Sequence, residues 1–234
     1  LLIEALSHAP PGPERLRLGE RLASIQILRG AHVPAAATLA GLLSDLDDRT
    51  LRAALRRRMA SLYAQAGQPL VAIDTLRAGL AEQPGDALAL EQLYGVAAGL
   101  GDEQTERFCL DQLVSQSTAA TRAHWLGRRA DLHRRHGALS DALSDAEAAL
   151  ATGKDAELLR ALLLLGVQIS DGGLIRQTTA ALQAARAPFL GVSALAGCGL
   201  LLHAVCPPEQ AERLILSVDS PDELATASAL AVAG

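Results

Sequence analysis

Apolar residues recur at helical spacing along most of the chain, and the segment 56–84 shows the pattern most clearly. Met59, Ala60 and Tyr63 stand at i, i+1 and i+4, which places them on one face of a helix. A turn sequence follows at 67–69. After it, apolar residues stand at i, i+4 and i+8, at Ala72, Leu76 and Leu80. The pattern predicts two amphipathic helices joined by a short turn.

Glycines follow the predicted first helix of each pair at regular intervals. The intervals are 37, 34, 36 and 36 residues, between Gly30, Gly67, Gly101, Gly137 and Gly173. Glycine is favoured at the end of a helix because it takes a positive φ without strain. A regular period of this length in a helical chain indicates repeated helix pairs. The alternative is a non-repetitive helical bundle.

The segment 56–84 resembles a tetratricopeptide repeat (TPR). The small and large residues of that family's pattern are matched by Ala60, Tyr63, Gly67, Ala72, Leu76, Gly79 and Pro84. Small residues let paired helices approach closely, and large ones fill the space between neighbouring pairs. Arg56 departs from the pattern, since the family often has an aromatic residue there. Glu106 stands where a small residue is expected, which predicts an atypical second helix.

The resemblance implies an all-α fold, an α-solenoid of antiparallel helix pairs wound as a right-handed superhelix. We expect one TPR-like solenoid over residues 1–234, and we expect the chain to be an excerpt of a larger bacterial TPR protein. The approximate units are 1–12 as the end of a preceding unit, 13–48, 49–85, 86–118, 119–154, 155–188, 189–220, and 221–234 as the start of a further unit.

Composition supports a helical fold and narrows the function. The chain has 46 Ala and 45 Leu among 234 residues, and five aromatic residues; Ala and Leu are strong helix formers. The net charge of −5 disfavours a general nucleic-acid binder, which needs a basic surface. Three cysteines are too few for a disulfide framework, so we expect a reducing, cytoplasmic location.

The segment 189–206 contains no Asp, Glu, Lys or Arg over 18 residues. This length just reaches that of a transmembrane helix. Three glycines and His203 interrupt the run, and no basic cluster flanks it. We therefore predict a buried solenoid helix and no membrane insertion. Self-association through this helix stays open as an alternative.

No catalytic or metal-binding motif emerges from the sequence. His133 and His136 share a helical face but lack a third ligand at helical spacing. Cys198, His203 and Cys206 are soft ligands without a recognised zinc spacing or a fourth partner. We predict that the chain is not an enzyme and holds neither a metal nor a cofactor.

Arg49, Arg52, Arg56, Arg57 and Arg58 form a basic cluster, and the first three share one face of a predicted helix. The sequence leaves two interpretations of this cluster open. The cluster could hold an acidic partner segment or phosphates, or it could be a solvated face balanced by the aspartates at 45, 47 and 48.

The resemblance implies that the first helices line a concave groove that binds a partner protein or peptide. The groove positions it predicts are Arg17, Glu20, Ser24, Arg57, Ser61, Glu91, His124, Asp131, Arg134 and Arg160. Some relatives hold a chaperone's terminal carboxylate with Lys and Asn, but this chain has no Asn and only Lys154. We predict a non-enzymatic interaction scaffold; the alternative is the regulatory or sensor region of a larger enzyme or transcriptional regulator.

Overall fold

The chain, described from a computed structural model, forms two compact units, Leu1–Gln116 and Ser117–Gly234. The structure describes residues 2–153 and the positions 158, 159, 162, 165, 166, 173, 177 and 181. All regular structure within those residues is helical, and none of them lies in a strand. The predicted all-α class is therefore confirmed.

Seven α-helices are described in unit 1. Each of the first six packs on the next one along the chain, and the fourth also packs on the sixth. We call the second, fourth and sixth the first helices of their pairs. The seven are α1 Leu2–His8, α2 Pro13–Leu28, α3 His32–Ala40, α4 Arg49–Gln65, α5 Pro69–Glu82, α6 Ala87–Leu100 and α7 Glu103–Gln116; a short 3-10 helix, Leu43–Asp45, follows α3.

Two helices are described over their full length in unit 2, α8 Ala119–Arg135 and α9 Leu139–Thr152, and they pack on each other. Few positions of the predicted unit 155–188 are described. The predicted units 189–220 and 221–234, and with them the apolar segment 189–206, lie outside the described residues. The unit boundaries predicted from the sequence remain a proposal.

The turn inside each helix pair is built the same way four times. Gly30, Gly67, Gly101 and Gly137 have φ values of 71°, 72°, 69° and 76°. In each turn the glycine N–H donates to the carbonyl three residues back, and the next N–H donates to the carbonyl five residues back. This double hydrogen bond is the Schellman motif, which satisfies the last carbonyls of a helix.

The prediction that Gly173 is the fifth turn glycine is wrong. Gly173 is itself helical, whereas a turn glycine follows the last helical residue. A helical glycine costs only about 1 kcal/mol relative to alanine, so packing elsewhere can hold it in a helix. Spacing alone does not distinguish these two uses of glycine.

Aspartates begin the first helices α4 and α6. The Asp48 carboxylate accepts a hydrogen bond from the backbone N–H of Thr50 at 2.7 Å and another from the hydroxyl of Thr50 at 2.6 Å. These bonds favour the charged carboxylate and hold the pKa of Asp48 below its usual value. Asp86 caps α6 in the same way, through the N–H of Ala89 at 3.2 Å.

Small residues lie buried in the best-matched helix pair, α4 and α5. Ala60 is 2% exposed and Ala72 is fully buried, so neither helix carries a bulky side chain at these positions. Leu76, at 1% exposed, fills the larger position. Glu106 is itself 1% exposed on α7, so a buried acidic side chain occupies the position where the resemblance expects a small one.

We expect Gly153→Ala to lower the free energy of unfolding of unit 2 by about 1–3 kcal/mol, as overpacking does. A Cβ at residue 153 would lie 2.5 Å from the Cβ of Ala123 on α8. Neither atom can yield without moving its backbone. Urea denaturation followed by the fluorescence of Trp125, the only tryptophan of the chain, measures the loss on this same helix.

A double-mutant cycle supplies the control for Gly153→Ala. Ala123→Gly alone costs about 1 kcal/mol, because it puts glycine inside a helix. Combined with Gly153→Ala it removes the clash, so the double variant should be more stable than the sum of the two losses predicts. Strictly additive losses would contradict the close approach of residue 153 to α8.

Candidate functional site

Two clefts open beside the first helices of unit 1, one on each flank of α4. The α2/α4 cleft has a volume of about 390 Å³, and the α4/α6 cleft has a volume of about 450 Å³. The α2/α4 cleft is lined by Leu16, Arg17, Glu20, Leu42, Leu46, Leu51, Ala54, Leu55 and Arg58. The α4/α6 cleft is lined by Ala60, Ser61, Ala64, Pro69, Leu76, Gln92, Gly95, Val96, Gly99 and Leu100.

The α2/α4 cleft combines an apolar floor with a charged rim. Leu42 and Leu55 belong to the buried core of unit 1, which fixes the floor. Arg17 and Glu20 contribute from α2, and Arg58 contributes from α4. Within the described residues none of these three side chains forms an ion pair. The cleft therefore combines an apolar surface with charged side chains that have no ion-pair partner among the described residues.

The α4/α6 cleft is apolar and carries no charged residue in its lining. Its polar groups are the hydroxyl of Ser61 and the amide of Gln92. Gly95 and Gly99 stand one turn apart on α6, and no heavy atom lies within 4 Å of the Cβ that either could carry. The backbone of α6 is thus open to close approach along this wall.

Three of the predicted groove residues line these clefts: Arg17 and Glu20 in one, and Ser61 in the other. Ser24 is exposed on α2 and donates its hydroxyl hydrogen bond to the carbonyl of Glu20 at 2.8 Å. Glu91 is exposed on α6 and does not line the cleft, although its neighbour Gln92 does.

Arg57, also predicted as a groove residue, forms an ion pair with a neighbouring helix and lines neither cleft. Its Nε lies 3.3 Å from Oδ2 of Asp86, and both side chains are largely buried. Asp86 also caps α6, so this ion pair joins α4 to the beginning of the next first helix. The neighbouring Arg58 lines the α2/α4 cleft instead; the sequence analysis placed it in the basic cluster but not among the groove positions. The signal was present, since Arg58 follows Leu51 and Ala54 by seven and four residues.

The charged groove residues predicted in unit 2 pair with one another along α8. Asp131 accepts from Nη2 of Arg134 at 2.7 Å and from Nε of Arg135 at 3.2 Å. His124 is exposed, and its ring meets that of Trp125 edge to face with centroids 4.7 Å apart. Arg160, the last predicted groove residue, lies outside the described residues.

Two arginines of the basic face of α4 share one carboxylate of the neighbouring helix. Arg52 and Arg56 both bind Oε1 of Glu82 at the end of α5, Arg52 at 3.0 Å. Asp45, one of the aspartates considered as a counter-charge, lies 3.3 Å from Nε of Arg15 instead. The nearest counter-charge for both arginines is therefore the single carboxylate of Glu82, 30 residues after Arg52 in sequence.

Among the described residues, no group of three or more His, Cys, Asp or Glu side chains is arranged to hold a metal ion. His133 lies beside Asp145, with 3.6 Å between Nε2 and Oδ2. The candidate cluster around Cys198 and Cys206 lies outside the described residues. No helix in the described part of the chain is both long and apolar enough to cross a bilayer.

Comparisons with known proteins identify the fold. No family model matches the sequence, and no curated protein sequence matches it significantly. Solved structures do match. MamA from residue 41 to its end, from Desulfovibrio magneticus RS-1, aligns with a TM-score of 0.57 and 14% identity, over 76% of this chain and 98% of that one.

Two further structures give the same result. BtubC (BKLC) from P. vanneervenii aligns with a TM-score of 0.53 and 17% identity, over 74% of this chain and 79% of that one. A tetratricopeptide repeat protein from Parabacteroides merdae ATCC 43184 aligns with a TM-score of 0.51 and 14% identity, over 82% and 81%. The chain therefore has an all-α, TPR-like fold, as its sequence predicts.

Proposed function

We propose that this chain is a non-enzymatic interaction scaffold of the cytoplasm, and that it binds a segment of a partner protein across the first helices of unit 1. One observation carries the proposal: two clefts lie side by side on the flanks of α4, each with an apolar floor and polar groups in its lining. Apolar floors hold side chains, and a few polar groups orient the bound segment.

The size of the clefts favours a peptide segment over a folded partner. Volumes of about 390 and 450 Å³ fall in the range of pockets that take small ligands, which leaves room for side chains of a peptide but not for a folded domain. A chain segment that places one side chain in each cleft would cross α4 between them. The TPR-like fold supports this mode of binding, because its stacked first helices present successive clefts to one bound chain.

Selection from a phage library of random twelve-residue peptides on the intact chain tests this function. We expect enriched peptides to lose at least tenfold in affinity on Ser61→Trp, since Ser61 is exposed and lines the α4/α6 cleft. An indole at this position would cover the cleft. Isothermal titration with a selected peptide measures the change.

Gln104→Trp is the matched control for this experiment. Gln104 is exposed on α7, a second helix, and lines neither cleft. The Gln104→Trp variant adds the same bulk to the surface and should leave peptide binding unchanged. A library that enriches no peptide, or peptides that bind the Ser61→Trp chain as well as the parent, would overturn the proposed function.

A further inference from the structure

We propose that the α2/α4 cleft selects an apolar side chain followed or preceded by one acidic side chain, whose carboxylate binds between Arg17 and Arg58. The inference rests on the proposed function and names the chemistry of its partner. Arg17 and Arg58 approach the cleft from different helices, and the floor between them is made of leucines. An anion held there would contact both guanidinium groups.

The arginines of α4 differ in whether they form ion pairs with neighbouring helices. Arg52 and Arg56 bind Glu82, and Arg57 binds Asp86. Arg58 has no ion pair within the described residues, and it is exposed. Of these four arginines on α4, it alone both lines the α2/α4 cleft and keeps its charge available.

The same division holds on α2. Arg15 pairs with Asp45 at 3.3 Å, whereas Arg17 is exposed and forms no ion pair within the described residues. The two arginines that line the cleft are therefore both free to bind an anion. A guanidinium offers paired N–H donors that match the geometry of a carboxylate, which makes an acidic side chain a suitable ligand.

Glu20 limits how much negative charge the cleft accepts. It lines the same cleft from α2, one turn after Arg17, so the three charged groups sum to a single positive charge. One carboxylate of the partner neutralises the net charge of the rim. A second carboxylate would be repelled by Glu20, and no positive charge of the rim would be left to balance it. The cleft is thus suited to a single acidic residue and not to an acidic run.

The second cleft sets the length of the segment. Residues 51–58 of α4 line one cleft and residues 60–64 line the other, an offset of about 10 Å at 1.5 Å per residue. The clefts also lie on opposite flanks of a helix about 10 Å wide, giving a separation of about 15 Å. An extended chain spans this in about four or five residues. A second, uncharged apolar residue is expected at that spacing.

Sequencing of the peptides enriched on the intact chain, and titration of one of them, test the inference. We expect an apolar residue beside a single Asp or Glu, with a second apolar residue about four or five positions away. Changing that acidic residue to its amide should weaken binding about 3- to 10-fold, the size expected for two partly exposed ion pairs. When the chain carries Arg17→Gln/Arg58→Gln, changing the acidic residue of the peptide to its amide should not weaken binding further. This is the result that a double-mutant cycle gives for groups in direct contact.

Arg21→Gln/Arg49→Gln is the matched control, because it removes the same charge from exposed positions of the same two helices outside the cleft lining. It should preserve the effect of the acidic residue. The inference is overturned, with the proposed function intact, if peptides are enriched without an acidic residue or if the control abolishes the effect equally. It is also overturned if sedimentation shows a dimer that Arg17→Gln/Arg58→Gln dissociates, since a second copy would then fill the cleft.

Discussion

Replacing Asp145 with Ala is expected to lower the free energy of unfolding of unit 2 by about 3 kcal/mol, within the range for breaking a buried ion pair. Asp145 is 7% exposed on α9. Its carboxylate binds Arg129 of α8 with both oxygens, at 2.8 Å to Nε and 2.7 Å to Nη2. The variant removes this bidentate contact between the two helices and leaves a largely buried guanidinium beside His133.

Asp131→Ala is the matched control for Asp145→Ala. Asp131 also pairs with arginine, in its case Arg134 and Arg135, but its own side chain is 49% exposed and its partners lie on the same helix. Ion pairs of this kind contribute about 0–1 kcal/mol. Urea denaturation followed by Trp125 fluorescence compares the two variants. Equal losses would show that burial of Asp145 does not make its ion pair stronger.

The turns of this fold were predictable from the sequence because they depend on local chemistry. A glycine at the end of a helix reaches a positive φ that other residues avoid, and four of the five predicted positions have it. Gly173 shows the limit of the argument. Glycine is permitted in a helix as well as after one, and only the packing of neighbouring helices decides between the two.

The clefts were predictable only in part, because a helix face changes with every residue. One step along an α-helix rotates the side chain by about 100°. The predicted Arg57 therefore faces Asp86, while Arg58 lines the cleft. The spacing of the apolar residues before Arg58 indicates which side of α4 faces the cleft. Counting one turn back from the small residue Ala60 gave Arg57 instead, which is one residue away from the correct position.

The ion pairs between helices could not be predicted from sequence proximity. The aspartates at 45, 47 and 48 lie nearest to the basic cluster along the chain, yet Glu82 provides the counter-charge for Arg52 and Arg56. This pairing depends on how α4 packs against α5. It also decides which arginines of α4 have no ion-pair partner among the described residues.

The thiol of Cys109 should react on the order of 1,000-fold more slowly in the native chain than in the unfolded chain. Cys109 is fully buried on α7, and burial raises the pKa of its thiol from the usual 9.0 to about 12. Only the thiolate is nucleophilic, and a pKa higher by about three units lowers its fraction near pH 8 by about 1,000-fold. Steric exclusion from the core adds to this.

Iodoacetamide labelling of Cys198→Ser/Cys206→Ser, followed by mass spectrometry, isolates the reaction of Cys109. Labelling in concentrated urea gives the rate of the unfolded chain. A chain with Ser115→Cys and the three native cysteines replaced by serine is the control, since Ser115 is exposed on the same helix and should label rapidly while folded. A native rate for Cys109 within tenfold of the unfolded rate would mean that α7 opens readily to solvent. In that case the packing of α7 on α6 could not hold the core of the first unit closed.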